Sequence, residues 1–421
     1  MKLLFIHQNF PGQFVHLAPA LAAQGHECVA LTLRVKEPQL WNGVKVLPYT
    51  LDVPKDATNP HPWLINTNTH LIRAHSFFKA ATRLREGGFT PDVIIAHPGW
   101  GESLFVKDVW PDARLGLFCE FYNGPEQAEF EGDVTPDDIL RLRMKNITNH
   151  LHFAIGDAGL SPTRFQADSF PQAFRDKISV IHDGIRTDTL TRDDNVVFQA
   201  EGTPALTRPL TRNDEVITFV NRNLEPYRGY HIFMRALPRL LRERPNAQVL
   251  ITGGDETSYG ARPPEGQSWK QIYIDEVRGQ ISDEDWARVH FLGRIPYDQF
   301  TKMLQVSRVH VYLTYPFVLS WSLLEAMSVE AAIVASRTEP VEEVLSDGET
   351  ARLFDFHDHE ALTDTITALL EDPEERTRLG QAARAVVQQN YDLTTSCLPR
   401  LLDWVQMLYD RPPAPPEHVA R

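Results

Sequence analysis

The sequence predicts an α/β protein built from two doubly wound parallel sheets, and three observations carry that reading. The chain has 421 residues, more than one ordinary core organises, so length argues for two or three domains. Short apolar runs with β-branched residues alternate with helix-length segments, the pattern of successive β–α units. The alternation stops once, over a polar stretch at 187–214 rich in Asp, Thr, Asn, Pro and Arg, and then restarts. The domains are therefore read as 1–195 and 212–393. A helix at about 394–410 follows, and a tail at 411–421 with four prolines reads as disordered.

The first half opens with a strand at Leu3–Ile6. Its loop, His7 to Phe14, holds Pro11 and Gly12. A helix over Val15–Gly25 follows, stopped by Gly25 and interrupted by Pro19, and then a strand at Cys28–Thr32. This opening lacks G-x-G-x-x-G, so no dinucleotide site is expected. Val44–Tyr49 reads as a strand, 52–66 as a loop and His70–Arg85 as a helix. Arg73, Lys79, Arg83 and Arg85 give that helix a cationic side, either a solvated face or a contact with an anionic membrane surface. Asp92–Ala96 is a buried strand that runs into His97. Side chains at the carboxyl ends of parallel strands face the ligand crevice, so His97 is either a site residue or a core histidine. Strands at Arg114–Phe118, Phe153–Ala158 and Ile178–Ile181 complete this half. Between them lie an acidic loop at Glu126–Asp138, read as a flap or plain surface, and a capped helix start at Leu160–Thr163.

The second half restarts with a strand at Val216–Val220 and a loop, Arg222–Gly229, that holds two arginines. A helix at His231–Arg242, a strand at Gln248–Thr252 and a long Gly/Pro excursion at 255–270 follow. Next come a helix at Trp269–Gln280, a strand at Val289–Leu292, a helix at Tyr297–Val306 and a strand at His310–Leu313. After that strand, Pro316 is a breaker and Ser320 or Ser322 a cap, while Leu323-Leu324-Glu325-Ala326-Met327 are strong helix formers. A strand, tight loop and helix N-terminus point free N–H groups and the positive end of the helix dipole at one place, which suits a phosphate. Glu325, one turn into the helix, can accept hydrogen bonds from paired sugar hydroxyls. The plain alternative is an ordinary β–α turn with a surface glutamate. A strand at Ala332–Ser336, a short helix at Pro340–Leu345, an edge strand at Ala351–Phe354 and helices at His359–Leu370, Glu374–Gln389 and Thr394–Tyr409 end the chain.

Composition narrows the function classes. The formal charge of −14 is the wrong sign for a nucleic-acid binder. No apolar run approaches the roughly 20 residues that span a bilayer. Met1–Ile6 reads as a strand and not as a leader. Cys28, Cys119 and Cys397 are few and scattered, so a reducing cytoplasm is the simplest setting. The pairs His150/His152 and His357/His359 have no third ligand in sight, and no metal site is expected. No G-x-S-x-G elbow points to a hydrolase.

At this point the residues resemble a known family. Arg222-Asn223-Leu224-Glu225-Pro226-Tyr227-Arg228-Gly229, Phe291-Leu292-Gly293-Arg294-Ile295-Pro296, Leu323 to Ser328, Asp347 to Leu353 and Glu371-Asp372-Pro373 are similar, in order, to the donor domain of retaining glycosyltransferases of family 4. Pro11-Gly12, Asp92–His97 and Val180–Ile185 match the first domain. Together the matches span most of 1–395. The resemblance implies a GT-B fold: two Rossmann-like domains facing a cleft, acceptor side first, with the last helix crossing back to the first domain. It implies Arg222 and Arg228 on the donor diphosphate, phosphate at the backbone of Ser320, Trp321 and Ser322, and ribose on Glu325. Gly293 belongs to the donor-side motifs, Gly12 to a loop approaching the diphosphate, and His97 to the neighbourhood of the reacting sugar.

One departure stands out. The family pattern Glu-x7-Glu ends at Glu325, so its first carboxylate, which holds donor-sugar hydroxyls, falls on Phe317. Either the donor sugar has fewer polar contacts there, or the backbone amides of Val318 and Leu319 suffice. The implied activity is transfer of a hexose-type sugar from a nucleotide diphosphate sugar, with UDP as the first guess, to a hydroxyl acceptor. It is retaining and metal-independent, needs no further cofactor, and serves polysaccharide, glycolipid or other glycoconjugate synthesis in the cytoplasm or at the inner membrane surface. The rival readings are a nucleotide-sugar epimerase or phosphorylase-like enzyme of the same fold, and a non-catalytic nucleotide- or glycan-binding scaffold. Acceptor, linkage and oligomeric state leave no mark in these motifs.

Overall fold

The computed structural model describes residues 1–54, 60–130, 134–199, 206 and 208–412. Of the proline-rich tail only Arg411 and Pro412 are among them, so the reading of the rest of that tail lies outside the described residues. The chain forms two compact units, Met1–Gly184 with Thr394–Arg421, and Ile185–Leu393.

The first unit is one eight-stranded sheet in the order β3-β4-β2-β1-β5-β6-β7-β8. Its strands are β1 (Lys2–Ile6), β2 (Glu27–Thr32), β3 (Gln39–Trp41), β4 (Val44–Pro48), β5 (Val93–Ala96), β6 (Arg114–Phe118), β7 (Ala158–Ser161) and β8 (Ile178–Val180). The pairings are parallel except β3 with β4. Leu4 and Ile6 join one buried cluster with Phe77 and Leu115, while Leu3 and Phe5 join another with Leu17, Leu21 and Trp404. Alternate side chains leave opposite faces of a strand, so both faces are covered, as a parallel sheet requires. The helix Leu398–Asp410 buries Leu401, Trp404, Val405 and Leu408 in this unit. Gly116 on β6 makes room for it, because a Cβ there would lie 2.5 Å from the Trp404 ring.

Several expectations for this unit need correction. The β3–β4 hairpin was not expected, and Asn42-Gly43 closes it with positive φ at both residues, which type I′ turns require. The helix expected from His70 begins at Ile65, continuing a 3-10 turn at Pro62–Leu64 capped by His61. Of its cationic side Arg83 and Arg85 are exposed, as a solvated face expects, while some of the cations also have partners within the unit. Arg73 Nη1 donates to Gln8 and lies 4.0 Å from buried Glu102, Lys79 pairs with Asp52, and Arg85 donates to the Val109 carbonyl at 3.0 Å. Phe153–Ile155 ends a helix, Ile147–Ile155, and does not begin a strand; a short apolar run does not distinguish the two. In the acidic loop, Glu126–Glu129 and Pro136–Lys145 are helical, the latter started by a Thr135–Asp138 capping box.

The second unit is a six-stranded parallel sheet in the order β13-β12-β11-β14-β15-β16, beside a two-stranded ribbon of β9 (Val197–Phe198) and β10 (Leu210–Thr211). The strands are β11 (Val216–Asn223), β12 (Gln248–Gly254), β13 (Val289–Gly293), β14 (Val309–Tyr312), β15 (Ala332–Ser336) and β16 (Arg352–Phe354). Phe219 on β11 stacks at 4.5 Å on Phe233 of the Tyr230–Glu243 helix. Residues 185–195, assigned from the sequence to the first domain, belong here. Ile185 and Leu190 are in this core, the Ile185 amide bonds to the Tyr391 carbonyl at 2.8 Å, and Arg384 donates to the Thr187 and Leu190 carbonyls. Their polar neighbours in sequence hide these two apolar anchors.

Candidate functional site

Apart from the antiparallel β3–β4 hairpin, the strand order of each unit reverses once, between β1 and β5 and between β11 and β14. At such a switch point the loops leaving the carboxyl ends diverge and open a crevice. In the second unit Arg228 bridges it. The residue closes a 3-10 turn after β11, and Gly229 follows at φ +68. Its Nη1 donates to Thr314 Oγ1 at 2.8 Å and to the Val318 carbonyl at 2.7 Å, both on the loop after β14. A guanidinium has five N–H donors, and Nε and Nη2 make no hydrogen bond with the described residues. Tyr259 and Phe317 lie over the same group, their centroids 5.1 and 5.6 Å from Cζ. Arg222 is exposed and makes no ion pair or side-chain hydrogen bond with the described residues.

The 314–322 loop matches its expected form. Ser320 caps the Trp321–Ser328 helix, its Oγ accepting from the Ser322 amide at 3.3 Å, and its own amide donates to Tyr312 Oη at 2.9 Å. The amides of Val318 and Leu319 make no hydrogen bond with the described residues. Trp321 is exposed and Ser322 buried. One turn on, Glu325 is only 8% exposed. Its Oε1 accepts from Tyr297 Oη at 2.7 Å, and burial holds its carboxyl above the usual range. Gly293, at φ +65, ends β13 four residues before Tyr297, with no atom within 4 Å of the place a Cβ would take.

Gly12 and His97 come together in the first unit. His7 at the end of β1 and His97 at the end of β5 have ring centroids 5.2 Å apart. His97 packs on Phe118 and Trp100 at 5.4 and 4.5 Å, and its Nδ1 accepts from the Gly99 amide at 3.1 Å. Its Nε2 is sealed from solvent without a hydrogen bond to the described residues, 3.5 Å from Glu120 Oε2. Burial, with His97 close by, pulls the His7 imidazole down to about 3.

Three residues at these loops escaped the sequence reading. Glu225, fully buried, accepts from the Ser258 and Tyr259 amides, each at 3.0 Å, and burial raises its carboxyl. Tyr259 reaches Arg228 from the long excursion after β12, and Tyr297 reaches Glu325 from the start of the Tyr297–Val306 helix. Only Glu225 stood inside a recognised motif; the two tyrosines are brought in by the sheet.

Comparison with known proteins agrees with this geometry. Residues 24–190 match the family model described as glycosyl transferase family 4 group, and 207–386 the one described as glycosyl transferases group 1. Among curated relatives, a phosphatidyl-myo-inositol mannosyltransferase of Mycolicibacterium smegmatis is 31% identical over 179 residues, 41% of this chain and 40% of that protein. A D-inositol 3-phosphate glycosyltransferase of Streptomyces avermitilis is 25% identical over 297 residues, 69% of this chain and 59% of that one. The matches thus span less than two thirds of these relatives. Among solved structures, a sucrose-phosphate synthase from Thermosynechococcus elongatus superposes with a TM-score of 0.71 at 16% identity, covering 97% of this chain and 99% of that one. The Anabaena protein HepE, solved with UDP and glucose, superposes with 0.66 at 15% identity, covering 97% and 100%. The two parallel-sheet units are those of a GT-B fold, and with both family models matched in succession the chain belongs to the family 4 glycosyltransferases.

Proposed function

We propose that this chain transfers a hexose-type sugar from a nucleotide diphosphate sugar to a hydroxyl acceptor, with retention at the anomeric carbon. The observation that carries this reading is the set of open donors at one switch point: Arg228 Nε and Nη2, Arg222, and the Val318 and Leu319 amides. A diphosphate takes such a set, and Arg presents the forked geometry that phosphate oxygens fit. Glu325 is the matching acceptor for ribose hydroxyls. As the glycosidic bond breaks, negative charge grows on the leaving diphosphate, and donors already in place stabilise it. The acceptor attacks from the face the diphosphate leaves, and a leaving phosphate oxygen takes its proton. The protein then supplies positioning and charge, and the arginines supply what a metal would. A UDP-sugar is the donor of choice, since structural neighbours were solved with UDP and UDP-glucose. Inositol-bearing acceptors come first, since both relatives carry inositol in their names.

No helix among the described residues is long and apolar enough to cross a membrane. For a lipid acceptor we place the contact on the first unit, where Ile65, Leu71 and Leu140 are exposed and Arg141, Arg143 and Lys145 follow Leu140.

The test is a thermal-shift screen of UDP, GDP, ADP and dTDP with and without EDTA. A ligand that binds only the folded state raises the melting temperature. One base should give a clear, EDTA-insensitive shift; none giving a shift sinks the proposal.

A further inference from the structure

Three half-buried rings stand as a wall beside Arg228. Tyr227 and Phe317 have centroids 5.2 Å apart, Tyr259 and Phe317 4.9 Å, and Tyr227 and Tyr259 6.3 Å. They come from three loops, after β11, β12 and β14. The wall is fastened where it matters. Buried Glu225 accepts from the amides of Ser258 and of Tyr259 itself, and Asn223 Nδ2 donates to Ser258 Oγ at 2.6 Å. The long excursion after β12 is therefore held at the residue that carries a wall ring. The Phe317 ring, in the middle, carries no donor or acceptor atom.

We propose that this wall receives the glycosyl group of the donor and selects a deoxy sugar over its fully hydroxylated parent. This rests on the reading of Arg228 and the 318–322 loop as the diphosphate site. Along that loop Glu325 marks the ribose end, the Val318 and Leu319 amides and Arg228 the diphosphate, and the rings stand over Arg228, with Phe317 next in the chain to Val318. A hydroxyl turned to Phe317 gives up its hydrogen bonds to water and finds none in return. A methyl or methylene at the same place gains by leaving water. Glu225 acts here as a positioning residue, through Tyr259.

The experiment is titration calorimetry on the whole chain with bare UDP, UDP-glucose and its 3-, 4- and 6-deoxy forms, or the GDP-mannose set where GDP is the base that binds. The readout is each sugar nucleotide's affinity divided by that of the bare nucleotide, so a change in diphosphate contact cancels. At least one deoxy form should exceed its parent by about tenfold in the wild type. That advantage should fall within about twofold in Phe317→Gln, which restores a polar partner, and survive in Phe317→Leu, which does not. Nucleotide binding with no deoxy advantage, or an advantage untouched by Phe317→Gln, overturns the inference and leaves the donor site standing. No nucleotide binding at all overturns both. Should Phe317→Gln fail to fold, Phe317→His, which puts a polar partner on a ring at the same place, must likewise reduce the advantage.

Discussion

Tyr297 donates to Glu325 at 2.7 Å across 28 residues of sequence, joining the start of the Tyr297–Val306 helix to a residue one turn into the Trp321–Ser328 helix. The bond fixes one carboxylate oxygen and leaves Oε2 without a partner among the described residues. A buried carboxylate held this way is a preset acceptor for hydroxyls. Glu325→Ala should weaken nucleotide binding by about 10- to 100-fold, and Tyr297→Phe by a few-fold. In the wild type the 2′-deoxynucleotide should lose a comparable factor, and should lose little more in Glu325→Ala. Calorimetry of this two-by-two cycle checks it; fully additive losses would place the ribose elsewhere.

Arg222 and Arg228 should separate function from stability. Arg222 is exposed and unpartnered among the described residues, so Arg222→Ala should leave the unfolding free energy within about 0.5 kcal/mol while lowering kcat/KM by about a hundredfold. Arg228 also ties Thr314 to Val318. Arg228→Ala should therefore lower the melting temperature as well, and Arg228→Lys should restore little, because one ammonium cannot reproduce the fork. Melting curves beside steady-state rates decide this, and an inactive but fully stable Arg228→Ala would count against the bridging role.

Stability should fall on acidification, beginning near pH 6.5. His152 accepts from or donates to Ser103 Oγ at 2.7 Å and the Thr148 carbonyl at 2.8 Å, and the carbonyl can only accept, so Nδ1 carries the proton and Nε2 accepts. Burial pulls its imidazole to about 4, and that of His310, beside Thr218 Oγ1, to about 3. In the unfolded chain both protonate near 6.5. Between these values the unfolded state binds more protons, so the unfolding free energy drops as pH falls, by at most about 1.4 kcal/mol per unit for each histidine. Glu225 and Glu325, raised by burial, act in the opposite sense and offset part of it. His310→Asn should show a shallower decline of melting temperature from pH 6.5 to 4 than the wild type. Parallel declines would remove His310 from the account.

Most strand and helix positions were legible because buried parallel strands are short β-branched runs and most helices carry a cap or breaker. The hairpin at Asn42-Gly43 was missed although Asn-Gly is a strong turn signal, because Gln39–Trp41 lacks an apolar run and Leu40 is 76% exposed. Phe153–Ile155 failed for the opposite reason, an apolar run that fits helix and strand alike. At the site, the motif residues Arg228, Ser320 and Glu325 could be placed from local pattern. Tyr259 and Tyr297 could not, because nothing within a few residues of either tells which strand end it will reach; adjacency in the sheet decides that.

Gly12 offers the sharpest test of the first unit. Its φ is +47, a region that side chains with a Cβ avoid. A Cβ there would lie 2.3 Å from His7 Nε2. His7 has little freedom to yield: its Nδ1 accepts from the Asn9 amide at 2.9 Å, its Nε2 then donates to Gln13 Oε1 at 2.7 Å, and its ring abuts Trp100 at 4.8 Å and His97 at 5.2 Å. Gly12→Ala therefore meets two penalties, backbone and clash, and should cost about 2–4 kcal/mol. Gly88, at φ +90 with no atom within 4 Å of a Cβ, carries the backbone penalty alone, so Gly88→Ala should cost about 1 kcal/mol. Replacing His7 with Ala removes the clashing ring, so adding Gly12→Ala to that background should cost about as little as Gly88→Ala. Thermal melts of the four variants measure the difference. Equal costs for Gly12→Ala with and without His7 would mean that the loop relaxes away from the ring, and that backbone strain alone explains the glycine.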